Sequence, residues 1–145
     1  MKRKASAIWK GNGLEGKGTL DSPSGLFNQT PYSFKARFEN EDGKLGTNPE
    51  ELIAAAHAGC FAMALSFEIA NAGFVSDTLS VDATVSIEPS EGGFGITGIT
   101  LDLVGKVAGM AEAQFIELAN SAKANCPISK ALAAVLVSLK TRFEA

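Results

Sequence analysis

Asn48-Pro49-Glu50-Glu51-Leu52-Ile53-Ala54-Ala55-Ala56-His57-Ala58-Gly59-Cys60-Phe61-Ala62-Met63-Ala64-Leu65-Ser66-Phe67 is the stretch that decides the architecture of this chain. Asn48 is a good N-cap, Pro49 suits the first helical position, and Glu51, three residues after Asn48, completes a capping box. From Glu50 to Ala72 only Gly59 interrupts, and Asn71-Ala72-Gly73 supplies a stop. The spacing therefore predicts one helix of about six turns. Leu52 to Phe67 is apolar nearly all round, which predicts a central helix buried on most sides. Its many alanines let another helix approach closely. A chain of 145 residues has little else long enough to cover it, so a partner subunit is expected.

Strands surround this helix. Ala5 to Lys10 alternates weakly, and Gly11, Gly13, Gly16 and Gly18 read as turns of a hairpin. In Tyr32-Ser33-Phe34-Lys35-Ala36-Arg37-Phe38 the apolar residues fall on one face and Ser33, Lys35 and Arg37 on the other, which predicts a strand. A polar turn, Glu39 to Gly43, follows. Beyond the helix, Leu79, Val81, Ala83, Val85 and Ile87 alternate with polar residues. Phe94 and Ile96 keep one phase while Ile99, Leu101 and Leu103 keep the other, which predicts a β-bulge at Gly98. Ala111 to Ala124 reads as an amphipathic helix with Phe115, Leu118, Ala119 and Ala122 inward. Asn125-Cys126-Pro127 breaks it, a short helix runs to about Ala133, and Val135 to Phe143 alternates as a last strand. The expected fold is α+β: a single domain over residues 1–145, with antiparallel strands packed around one long hydrophobic helix.

Composition narrows the function classes. Hydrophobic residues make up 46% and charged residues 20%, too apolar for a disordered chain. Thirteen Lys and Arg against 16 Asp and Glu give a net charge of −3, and counterion release from nucleic acid needs a basic face. Lys2-Arg3-Lys4 is the one basic cluster and reads as a solvated terminus. Ala5 to Gly13 offers no signal-peptide core, and Leu52 to Phe67, with His57 inside it, falls short of a membrane span. A cytoplasmic protein with neither nucleic-acid nor membrane partners is expected.

Cys60 and Cys126 are the residues with chemistry to offer. In a cytoplasmic protein two cysteines are either small buried hydrophobes or a working thiol couple. Cys60 lies three residues after His57, on the same helix face. Cys126 directly precedes Pro127 where a helix begins, so unpaired N–H groups there favour its thiolate. His57 and the two thiols fit no zinc spacing, and His57 reads as a core imidazole bonded to a backbone carbonyl. No Gly-x-Ser-x-Gly elbow is present, and Gly13-Leu14-Glu15-Gly16-Lys17-Gly18 is no phosphate loop.

Asn48 to Phe61 resembles the central-helix signature of the OsmC family of osmotically inducible and organic-hydroperoxide-resistance proteins. Cys126-Pro127-Ile128-Ser129 is similar to its second-cysteine motif, and Pro31 to Phe38 to its OsmC branch. The resemblance runs from about Trp9 to the last strand. It implies a thiol peroxidase of organic hydroperoxides, with Cys60 as the attacking thiol, Cys126 as the resolving one, and Arg37 and Glu50 activating Cys60. It also implies an intertwined homodimer, no bound cofactor or metal, and an external dithiol reductant of lipoyl type. Glu50 and Cys60 are ten residues apart on one helix, about 15 Å of rise, so a contribution from Glu50 requires a second chain. Phe61 and Met63 are expected to line the substrate's approach. The rival expectation is a small-molecule-binding or structural dimer with redox-inert cysteines.

Overall fold

Local signals shape the N-terminal segment. In the computed structural model, which describes residues 1–145, β1 (Ser6–Lys10), β2 (Lys17–Asp21) and β3 (Thr30–Ser33) form an antiparallel meander. The β1–β2 loop folds around Asn12, whose Oδ1 accepts from the N–H groups of Leu14 and Glu15 and whose carbonyl accepts from Trp9 Nε1. Gly18 leaves room for the rings of Tyr32 and Trp9, which meet 5.3 Å apart; a Cβ there would strike both.

The strand expected over Tyr32–Phe38 stops at Ser33. Residues Phe34–Phe38 form a five-residue helix, α1, because the Ser33 hydroxyl accepts from the Ala36 N–H and caps it. Phe34 and Phe38, four apart, then bring their rings within 4.9 Å. Arg37 accordingly sits on a helix, not on a strand face shared with Ser33 and Lys35.

The long helix α2 (Pro49–Asn71) has the expected bounds. Asn48 Oδ1 accepts from the Glu51 N–H at 2.8 Å, while the Glu51 carboxylate takes the Thr47 hydroxyl, so only half of the capping box forms. At the other end Gly73 adopts φ 87°, Phe74 N–H reaches the Ile69 carbonyl and Gly73 N–H that of Ala70, a Schellman stop.

The chain divides into two units, Met1–Leu52 and Ile53–Ala145. In the second, β4 (Ser76–Ser90) and β5 (Gly93–Val107) make a long antiparallel hairpin. Ser86 pairs with Gly98 and Ile87 with Ile96, which places the expected bulge at Thr97–Gly98. After β5 come α3 (Glu112–Asn125) and α4 (Pro127–Ala131), the latter shorter than expected. The last strand, β6 (Val137–Glu144), lies parallel to β5, giving the order β4-β5-β6. The sheet is thus mixed rather than wholly antiparallel, because the connection through two helices is long enough to return the chain to the same end.

The core is built from Phe61, Leu65 and Ile69 of α2, alternate residues of β5 from Ile99 to Val107, and Phe115, Ala119 and Ala122 of α3. Phe115 lies over Gly105, where a Cβ would collide with its ring. Within the chain α2 buries the row His57, Phe61, Leu65 and Ile69 and leaves Ala55, Gly59, Met63 and Phe67 exposed, so it is not covered on most sides. Long and apolar enough to cross a membrane by length and composition, α2 spends one face on protein packing instead.

Candidate active site

Two pairs of side chains stand out, one in each unit. Cys60 projects from the middle of α2; Cys126 sits at the break between α3 and α4. The break is dictated by Pro127, which has no N–H to continue α3. Cys126 ends α3 through its N–H on the Ala122 carbonyl and starts α4 through its own carbonyl, which accepts from Lys130 N–H. Across α2 and α3, Ser121 donates to the Glu68 carboxylate at 3.0 Å, tying the two helices together.

The two sulfurs lie 2.9 Å apart, both as free thiols. This is hydrogen-bonding contact, and a bond of about 2.05 Å requires only a small further approach. Cys126 is fully buried and Cys60 partly so. Burial, then the hydrogen bond shared with Cys126, pushes the Cys60 thiol up from its ordinary value. Burial alone would raise Cys126 as well. The hydrogen bond shared with Cys60, the N–H and hydroxyl of Ser129 and the Ile128 N–H outweigh it and leave Cys126 lowered, although none of the α4 groups has the geometry of a capping hydrogen bond. Cys126 is the more acidic thiol of the isolated pair, as its place at a helix start suggests.

His57 is fully buried one turn before Cys60, but its ring turns away from that thiol. Nε2 lies 2.7 Å from the Ser129 hydroxyl, in place of the backbone carbonyl expected, and Nδ1 has no partner. Burial lowers the imidazole below its ordinary value. Ser129 is the residue that motif reading passed over. It stands three positions after Cys126, one turn along α4, which was the available signal. No group of three or more His, Cys, Asp or Glu side chains gathers as a metal site.

The first unit holds Arg37 and Glu50. Arg37 Nη2 donates to Glu50 Oε1 at 2.6 Å and Nε to Oε2 at 3.1 Å, a bidentate pair. Glu50 is buried and Arg37 half-buried, its guanidinium 4.9 Å above the Phe38 ring. Glu51 serves the helix start, which leaves Glu50 for Arg37. A cavity of about 210 Å³ beside the pair is lined by Trp9, Tyr32, Phe34, Arg37, Phe38 and Pro49, among others. The expected substrate-lining role of Phe61 does not hold, since that ring is fully buried in the core; Met63 is exposed.

The family model described as OsmC-like protein matches residues 41–140. Peroxiredoxin OsmC of Escherichia coli strain K12 is 46% identical over 132 residues, 91% of this chain and 90% of that protein. Organic hydroperoxide resistance protein OhrB of Bacillus subtilis strain 168 is 40% identical over 93 residues, 63% of this chain and 65% of that one. The crystal structure of Bacillus subtilis OhrB superposes with a TM-score of 0.68 at 29% identity, covering 96% of this chain and 98% of that one. With its helix signature, its paired thiols and a relative matched over nine-tenths of both chains, the chain belongs to the OsmC family.

Proposed function

We propose that this protein is a thiol peroxidase that reduces organic hydroperoxides to alcohols through Cys60 and Cys126. The observation that carries the reading is the pair of free thiols in contact at 2.9 Å. A Cys60 thiolate attacks the O–O bond, giving Cys60 sulfenic acid and, after uptake of one proton, the alcohol. Cys126 then displaces the sulfenic oxygen as water and the disulfide forms. A dithiol, of which a lipoyl group is one chemical example, exchanges with that disulfide and restores both thiols.

The first step needs Cys60 ionised, and its surroundings on α2 oppose that. Arg37, held by Glu50, is the cation suited to the task because guanidinium stays charged when desolvated. Glu50 and Cys60 are separated by ten residues of one helix, so the Arg37–Glu50 pair that serves Cys60 belongs to a second copy of the chain. The exposed row Ala55, Gly59, Met63 and Phe67 supports this homodimer, since its small residues suit close helix contact. The aromatic cavity beside Arg37 would receive the organic part of the peroxide, favouring it over hydrogen peroxide.

The test is intact mass after one equivalent of cumene hydroperoxide. Wild type loses two hydrogens; Cys126→Ser gains one oxygen on Cys60; Cys60→Ser is unchanged. No change in wild type sinks the reading in favour of a binding protein with inert thiols, and an unreactive Cys126→Ser beside an oxidised wild type reverses the roles of the two cysteines.

A further inference from the structure

His57 is buried, bonded through one nitrogen to Ser129, and used by no step above. Its Nδ1 faces no partner. A buried N–H without an acceptor is among the rarest features of folded proteins, and an unused acceptor lone pair is better tolerated. The proton therefore resides on Nε2 and Nδ1 is bare. Nε2–H then donates to Ser129 Oγ at 2.7 Å, and the hydroxyl's own proton is turned away from His57. Cys126 stands three positions back at the start of α4, one helical turn away and also buried, and is the thiol nearest that hydroxyl along the helix.

We propose that His57 and Ser129 are positioning residues for disulfide formation: the imidazole orients the Ser129 hydroxyl, which holds Cys126 as the thiolate that attacks Cys60 sulfenic acid. The inference rests on the thiol-peroxidase reading above. The contact gains weight once peroxide has reacted. In the reduced pair the two thiols share one hydrogen bond at 2.9 Å, which is lost in that form when Cys60 becomes a sulfenic acid. Ser129 then offers Cys126 a side-chain donor from its own helix. Cys126 sulfur attacks Cys60 sulfur, the S–O bond breaks as the S–S bond forms, and the departing hydroxide leaves as water with the proton Cys126 gave up. Neutrality of His57 suits this role, because a buried imidazole resists charging and so keeps its donor geometry.

The experiment first uses a Cys60→Ser background, where Cys126 is the one thiol. Alkylation by iodoacetamide is followed against pH, with no peroxide present. Ser129→Ala and His57→Leu shift the profile to higher pH and slow the reaction near neutrality about three- to tenfold, since thiolate is lost while the remaining thiolate is somewhat more nucleophilic. Ser129→Thr and His57→Gln, which keep a hydroxyl and an Nε donor, restore it. With both cysteines present, stopped-flow oxidation shows the slowing in disulfide formation and not in sulfenic acid formation. A lower melting temperature with an unmoved Cys126 profile would overturn the proposal. Because the chain has a single histidine, its ring nitrogens can also be read by NMR in the wild-type protein, whatever the fate of the variants. A protonated Nε2 beside a bare Nδ1 supports the proposal and a protonated Nδ1 overturns it. Wild type inert to peroxide defeats the peroxidase reading; wild type oxidised, with Ser129→Ala closing its disulfide at the same rate, defeats this inference alone.

Discussion

Arg37 and Glu50 in the first unit and Cys60 and Cys126 in the second solve opposite problems. The charged pair keeps its guanidinium half in water, grips a buried carboxylate through two hydrogen bonds, and stands beside aromatic rings. The thiols sit among apolar side chains, one of them without solvent contact. The scaffolds differ in the same way. Hydrogen-bonded turns and short strands shape the first unit, where Ala36 and Glu50 are among the few buried residues; the second rests on Phe61, Leu65, Ile69 and Phe115. A soft nucleophile is protected by burial but loses ionisation to it, whereas a cation retains its charge at the surface. Each pair has the surroundings that its own chemistry needs.

The comparison breaks most forcefully at Phe115. Phe115→Ala empties the space above Gly105 and should cost about 3–5 kcal/mol of stability, read by urea unfolding. Backbone amides of the first unit should keep more of their hydrogen-exchange protection than those of β5; equal loss in both would mean that the chain unfolds as one body. Arg37→Ala attacks the other side. It should slow peroxide reduction about a hundredfold, the range of one lost electrostatic contact to a reacting group. The defect should shrink as pH rises, because alkali ionises the raised Cys60 thiol without help. A pH-independent defect would remove Arg37 from thiol activation.

Smaller effects sharpen the contrast. Asn48→Ala removes the α2 cap and should cost about 1 kcal/mol in thermal unfolding, with the thiol pair unaffected. His57 has its pKa depressed in the folded chain, so the unfolded chain binds the proton more readily. Stability is accordingly whole above the ordinary imidazole value of about 6.5 and declines as pH falls from there toward the lowered folded value. Melting curves of His57→Gln should lack that acid-side slope.

What the sequence disclosed, and what it hid, follows from range. Asn48, Pro49 and Gly73 act on their own neighbours, so the ends of α2 could be read directly. The phase change around Gly98 announced the bulge for the same reason. Phe34–Phe38 misled because five residues are too few to separate a two-residue period from a helical one, and a single Ser33 hydroxyl decided the matter. Alternation in β6 gave its faces but not its direction, which depends on where α3 and α4 deliver the chain. Cys60 and Cys126 were both recognisable in their motifs, yet their contact spans 66 positions and only folding brings it about. Ser129 stayed invisible because its partner His57 lies 72 positions away.

The closeness of the two sulfurs also governs how long such a molecule lasts in use. A sulfenic acid left waiting meets more peroxide and advances to sulfinic acid, from which ordinary thiols do not recover it. With Cys126 already at 2.9 Å, the proposed mechanism would set that waiting time by a rearrangement inside one chain rather than by the arrival of a reductant. On the proposed chemistry, overoxidation would then be a race between a second peroxide and a thiol already in place.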